Sequence, residues 1–271
     1  MKHSIEIGGV RRDIDIRPMG EDFIVYRKMY VAPLTRENIS QINPGDCREH
    51  LEEFQRTGRQ QVIQMFLQRE IRALGSCAML GWDGSGVVAK MYFTTDEMHD
   101  AFKAHGGRHC VESRSMTAVI ESLKDEQVAE LLRSPSRTLH ILCFNVGHSD
   151  SRYHGQGIAT AMIECLKQWA GERGWRRILA DSCPDITPPT VVGVHLLRRG
   201  ALERRGFRVL ENTLASPEQA QARLREIEAY ASGKKADGAE ADWYLRNFSR
   251  FYAEFVWRSE YDLDHVMACD L

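Results

Sequence analysis

Tyr153-His154-Gly155-Gln156-Gly157-Ile158-Ala159-Thr160 is the segment whose residue types and spacing best suit chemistry. Two glycines one residue apart let the backbone turn tightly and come close to a ligand. A helix opening straight after them presents amide N–H groups with no intrahelical partner and the positive end of its dipole. That combination holds a phosphate or a pyrophosphate. One class of ligand with this chemistry is a dinucleotide in a doubly wound sheet. Gly155-x-Gly157-x-x-Thr160 is a degenerate form of its glycine fingerprint, and Asp181 would be the acidic residue about 20 positions on. Against it, the third glycine is absent, and too little strand–helix alternation comes after the loop to complete such a sheet.

The elements around the loop read from periodicity. Leu139 to Val146 is a near-continuous apolar run, as in a central strand buried on both faces. Ile158, Met162, Ile163, Leu166 and Trp169 share one face at 3.6 residues per turn, which predicts a helix closed by Gly174. Arg177 to Ala180 starts another strand, so 139–180 forms a βαβ unit with parallel strands and a right-handed crossover. Upstream, Ile14 to Pro18 alternates as a short strand. Helices are expected near 21–31 and from about Arg48 to Leu74, the latter on Leu51, Phe54, Val62, Met65, Phe66 and Ile71. Cys77–Trp82 and Val87–Phe93 flank Asp83-Gly84-Ser85-Gly86, a hairpin signal. Residues 94–137 read as a polar helical insertion, with Val119, Ile120, Leu123 and Val128 on one face.

Past 180, a Pro-containing loop leads to a helix near 192–205 and a strand at Gly206–Leu210. Ser216-Pro217-Glu218-Gln219 is a capping box before a further helix. Tyr244, Phe248, Phe251, Tyr252 and Phe255 form an aromatic stripe of packing type. The domain expectation is a core over 1–210 with its insertion near 94–137. A helical extension with a final strand, packed on that core, covers 211–271.

Tyr153 to Leu166 resembles the acetyl-CoA loop and helix of the GNAT acetyltransferase superfamily, with Gly157 and Ala159 at its glycine and small-residue positions. His154 stands where the family usually has Arg or Gln. A shifted register, Arg152-x-x-Gly155-x-Gly157, also fits the bare pattern. Ile14–Pro18 is similar to the family's first strand, the 77–93 hairpin to its second and third, and Leu139–Val146 to its fourth. Leu202-Glu203-Arg204-Arg205-Gly206-Phe207 resembles its Tyr-Glu-Lys-Leu-Gly-Phe segment. The resemblance spans roughly residues 14–210, with breaks at 40–74 and 94–137. It implies an α/β fold with a mixed, mostly antiparallel sheet, one parallel central pair splayed around the coenzyme, and helices on both faces.

The resemblance further implies transfer of an acetyl group from acetyl-CoA, as co-substrate, to a primary amine of a small molecule or peptide. Phe144, Asn145 and Val146 would meet the pantetheine arm. Arg152, Tyr153, His154, Gly155, Gln156, Gly157, Ile158, Ala159 and Thr160 would hold the pyrophosphate, and His195 falls where the family often places an asparagine near the coenzyme. The amine must lose a proton, and His140, Asp181 and His148 are the nearest groups to take it. The family's tyrosine acid is replaced by Leu202, leaving Cys183, Tyr252 or Tyr261 as substitutes. His109-Cys110 with Glu112 does not make a nucleophile pair, because adjacent strand residues point to opposite faces. A catalytically silent acyl-CoA-binding module is the competing reading, and Leu202 favours it.

Composition narrows the remainder. Over 271 residues the net charge is −2 with no long basic run, unlike a nucleic-acid binder. Seven scattered cysteines without a CxxC pair fit neither a disulfide framework nor a structural zinc site, and no metal is expected. No apolar stretch approaches a membrane span, so the expectation is a cytoplasmic chain, with monomer and homodimer both open.

Overall fold

The computed structural model describes residues 1–25, 59–84, 86–104, 119–147, 151–183, 197–213 and 264–271. These fall into two compact units. The first takes in Met1–Ala180 and Cys269–Leu271, and the second the described parts of Asp181–Val192 and Leu196–Ala268.

The first unit opens on a hairpin, β1 (Lys2–Ile7) and β2 (Val10–Pro18). Gly8 and Gly9 have φ of 58° and 78°, the left-handed pair that a two-residue hairpin turn requires. Ile5, Ile7, Ile14 and Ile16 alternate into the core. Ile14–Pro18 is therefore the second half of a hairpin rather than the chain's first strand. β2 continues antiparallel into β3 (Ala78–Trp82), β3 into β4 (Val87–Thr95), and β4 into β5 (Thr138–Val146). β5 then pairs in parallel with the start of β6 (Arg177–Cys183), from Thr138↔Arg177 to Ile141↔Ala180. At the chain's end Leu271 donates its amide to the Arg176 carbonyl, and Arg177 meets Asp270 at 2.7 Å.

Neighbouring residues of β4 show how the two sheet faces are covered. Phe93 meets Trp169 at 5.3 Å between centroids, on α4 (Ile158–Glu172). Thr94, pointing the other way, donates its hydroxyl to Glu70 of α1 (Arg59–Leu74). α4 lies over β2 to β5, and Gly81 of β3 is tight against its neighbouring strands: a Cβ there would stand only 3.1 Å from Ala89 and 3.2 Å from Ile14. The opposite face carries α1 together with α2 (Asp96–Ala104) and α3 (Asp125–Arg133). Phe66 of α1 and Phe102 of α2 meet edge to face at 5.8 Å.

Most sequence-derived elements stand where expected. α4 buries Ile158, Met162, Ile163, Leu166 and Trp169, and β5 is buried from Thr138 to Asn145. α1 ends at Gly75, whose φ of 89° supplies the left-handed stop. Its apolar face includes Ile63, Phe66, Leu67, Ile71 and Leu74, whereas Met65 is exposed. The 94–137 region is helical at 96–104, 119–122 and 125–133, although Thr94 and Thr95 still belong to β4. Of the expected 21–31 helix, the part beyond Val25 lies outside the described residues. Over 21–25 the chain turns instead, Phe23 donating its amide to the Gly20 carbonyl.

In the second unit, β7 (Leu197–Arg198) pairs in parallel with the outer end of β6. Of the expected 192–205 helix, residues 192–196 lie outside the described residues, Leu197 and Arg198 are drawn into strand pairing, and the helix itself, α5, runs Arg199–Glu203. β8 (Arg208–Thr213) pairs antiparallel with β9 (Asp264–Asp270). The capping box at 216–219 and the aromatic stripe at 244–255 lie outside the described residues. The mixed α/β arrangement has antiparallel strands leading to the parallel β5–β6 pair, whose crossover runs through a glycine loop and helix. This is the fold class that the GNAT resemblance implied.

Candidate functional site

The glycine loop is built at the end of β5, by three tethers, two of them to distant parts of the chain. Tyr153 is buried and donates its hydroxyl to the carboxylate of Asp83. Asp83 sits in the β3–β4 turn with its side chain only 1% exposed, 3.6 Å from the Arg12 guanidinium, and accepts the Gly86 amide at 3.2 Å. His154 Nε2 lies 3.1 Å from the carbonyl of Gly147, which has just left β5. His3 of β1 reaches the Gln156 carbonyl with its Nε2 at 2.8 Å. These contacts fix the loop and leave Gly155 and Gly157 exposed.

Both glycines are in the left-handed region, at φ 72° and 77°. A Cβ at Gly155 would meet nothing within 4 Å, and one at Gly157 would stand 3.4 Å from the His3 ring. Gly157 is the N-cap of α4 and supplies no side-chain cap. The first intrahelical bond runs from the Ala161 amide to the Gly157 carbonyl at 2.9 Å. The amides of Ile158, Ala159 and Thr160 thus precede the helix's own acceptors, at the positive end of its dipole. Arg152 is exposed just upstream, in a single 3-10 turn at Ser151–Tyr153.

β5 carries two further irregularities near this end. Tyr92 faces Cys143, yet Phe93 faces Ile141, so Leu142 is an extra residue that bends the strand and re-aims the side chains beyond it. The parallel pairing with β6 runs only as far as Ile141 and Ala180, whereas β5 runs on to Val146. Phe144 and Asn145 are buried and Val146 half-buried. The Asn145 side-chain oxygen is buried without a hydrogen-bond partner among the described residues. An orphaned acceptor of that kind costs about 1–3 kcal/mol unless something donates to it.

Phe144–Val146 and Arg152–Thr160 are therefore brought together, through the His154–Gly147 contact. The acid–base candidates are placed elsewhere. His140 is seven residues before Gly147, roughly 20 Å away at about 3.3 Å per strand residue. It is 2% exposed, with Nδ1 3.1 Å from Asp96 Oδ1, and its ring stacks on His99 at 3.4 Å. Asp181 is buried on β6, in the second unit. Cys183 is the last residue of β6, opposite Arg198. His195, His148, His109, Cys110, Glu112, Tyr252 and Tyr261 lie outside the described residues. Leu202 is fully buried on α5.

Sequence reasoning treats Asp83 only as a turn former and gives no role to His3, Asp96 or His99. The Asp83 tether yields a direct expectation. Tyr153→Phe removes the hydroxyl that a buried carboxylate accepts and should destabilise the chain by about 1.5–3 kcal/mol. Urea unfolding of parent and variant measures it, and equal midpoints would mean that the tether contributes nothing to stability.

Among the described residues, no helix is long and apolar enough to cross a membrane. No family model and no curated protein matches this chain. Among solved structures it is similar to the PaiA N-acetyltransferase of Thermoplasma acidophilum in complex with coenzyme A, at 10% identity over 95% of this chain and 99% of that one, with a TM-score of 0.39. It is similar also to the polyamine N-acetyltransferase of Drosophila melanogaster, at 13% identity over 75% of this chain and 87% of that one, TM-score 0.38. A GNAT-family acetyltransferase of Streptococcus pneumoniae shares 10% identity over 95% and 99% of the two chains, TM-score 0.39.

Proposed function

We propose that this chain is an acetyl-CoA-dependent N-acyltransferase acting on a primary amine, in a small molecule or a peptide. The observation that carries the reading is the uncapped start of α4, with three amides behind two exposed left-handed glycines, which suits a nucleotide-linked pyrophosphate. A coenzyme bound there would run its pantetheine arm back along β5, where the Asn145 oxygen offers an acceptor to an amide N–H. The thioester would then approach the bend at Leu142, and backbone groups of β5 are proposed to stabilise its oxyanion. Asp181 and Cys183 are the groups proposed for proton transfer, since His140 is engaged by Asp96 and His99, with Phe144, Val146 and His195 as further coenzyme contacts. The buried cysteines Cys77, Cys143, Cys165 and Cys269 suit a reducing cytoplasm.

The test is a thermal-shift series on the full chain with acetyl-CoA, longer acyl-CoAs, NAD and NADP. Acetyl-CoA at a hundred times its Kd should stabilise by about 2.7 kcal/mol through mass action. A response to NAD or NADP without one to any acyl-CoA would overturn the reading. The burial of Leu202 favours a second one, a silent acyl-CoA-binding module, since an aliphatic core residue donates no proton. Tight acetyl-CoA binding with no CoA release across a broad amine panel would select that module, and turnover with any amine would exclude it.

A further inference from the structure

A second constellation lies on the sheet face away from α4. α2 continues directly from β4, and Asp96 and His99 stand three residues apart on it, so they share a face of the helix. Thr94, at the end of β4, is paired with His140 of β5, which brings His140 beneath the first turn of α2. The resulting contacts are close. His140 Nδ1 is 3.1 Å from Asp96 Oδ1, and the His99 and His140 rings lie 3.4 Å apart between centroids at 19°. One ligand atom from each of the three residues falls within 4.8 Å of the other two.

We propose that Asp96, His99 and His140 form a binding site for a divalent first-row transition ion, zinc foremost. Two imidazoles and a carboxylate are the donor set that suits zinc, with cobalt and nickel as weaker or rarer occupants, and three protein ligands leave a position for water. The two histidine side chains are 7% and 2% exposed, whereas Asp96 is 30% exposed and opens the route to solvent. Zinc bonds of about 2.0–2.2 Å require the ligand atoms to close in by up to about 1 Å, and the two rings to turn out of their stack so that the ion lies near the plane of each. The site does not depend on the acyltransferase reading.

The experiment is a cobalt titration of the full chain after chelator treatment, then displacement with zinc. One equivalent of Co²⁺ should generate visible d–d absorption that zinc abolishes. Asp96→Asn and His99→Gln should each weaken binding at least tenfold while circular dichroism stays that of the parent. His99→Cys should retain the ion and add a thiolate charge-transfer band, a gain that no merely damaged fold would produce. Absence of cobalt absorption and of zinc uptake at about 100 μM metal overturns the proposal. So does undiminished binding in folded Asn and Gln variants, which would move the ion to one of the chain's other histidines or cysteines.

Discussion

Gly157→Glu should lower the affinity for acetyl-CoA by at least about 100-fold, equivalent to about 2.7 kcal/mol at 1.36 kcal/mol per decade. The carboxylate would sit at the N-cap of α4, where a negative charge suits the helix dipole but repels a diphosphate from the same amides. Its Cβ has the His3 ring at 3.4 Å on one side, so the side chain must project outward over the exposed amides. A φ of 77° imposes a separate cost of about 1–2 kcal/mol on a residue bearing a Cβ. Gly157→Asn isolates that cost, because asparagine tolerates the left-handed region and stays neutral, and it should lose less affinity than Glu by about tenfold or more. Isothermal titration with acetyl-CoA reads both. Parent-like affinity in Gly157→Glu would place the coenzyme elsewhere, or nowhere on this chain.

The site's central strand and helix are legible because their burial is written in local periodicity. Leu139–Val146 needs no partner to be identified as doubly buried, and Ile158 to Trp169 needs only the helical repeat. Gly155 and Gly157 likewise announce a backbone that adopts positive φ. The support for the loop stays hidden, because it is non-local. Tyr153 is held by an aspartate 70 residues away, and the Gln156 carbonyl by a histidine 153 residues away. Neither tether leaves a pattern in a single sequence, and Asp83 already has a sufficient local explanation as a turn residue.

β1 is a different kind of miss. Ile5 and Ile7 before Gly8-Gly9, and Ile14 and Ile16 after it, carry a hairpin signal, yet the sequence reading takes up only the later strand. The consequence reaches the site, because β1 brings His3 to the loop. Asp96, His99 and His140 are separable in sequence only as one helix pair and one strand histidine. Their meeting depends on the register Thr94↔His140, which the bulge at Leu142 sets and which residue periodicity does not encode.

Glu70→Gln should flatten the pH dependence of stability between about pH 5 and pH 8 and leave the variant more stable than the parent at the alkaline end. Glu70 is 1% exposed on α1, beside Cys77 and accepting the Thr94 hydroxyl. Burial raises its pKa from 4.5 to about 8, against the lowering effect of its hydrogen bonds to Thr94 and Cys77. Proton counting gives the sign. Below pH 4.5 both folded and unfolded chains carry the proton, and the native state keeps its full advantage. From there to about pH 8 the unfolded chain releases the proton while the native state retains it, so stability falls by about 1.36 kcal/mol per pH unit. Above the folded pKa both states are ionised and the loss is complete, at no more than about 5 kcal/mol. Glutamine can still accept the Thr94 hydroxyl but has no proton to release, so the slope due to this position disappears. Urea unfolding of both proteins across the window gives the difference curve, in which contributions from all other groups cancel. A difference that stays constant with pH would mean that Glu70 is ionised within the fold, with the Thr94 and Cys77 bonds outweighing its burial.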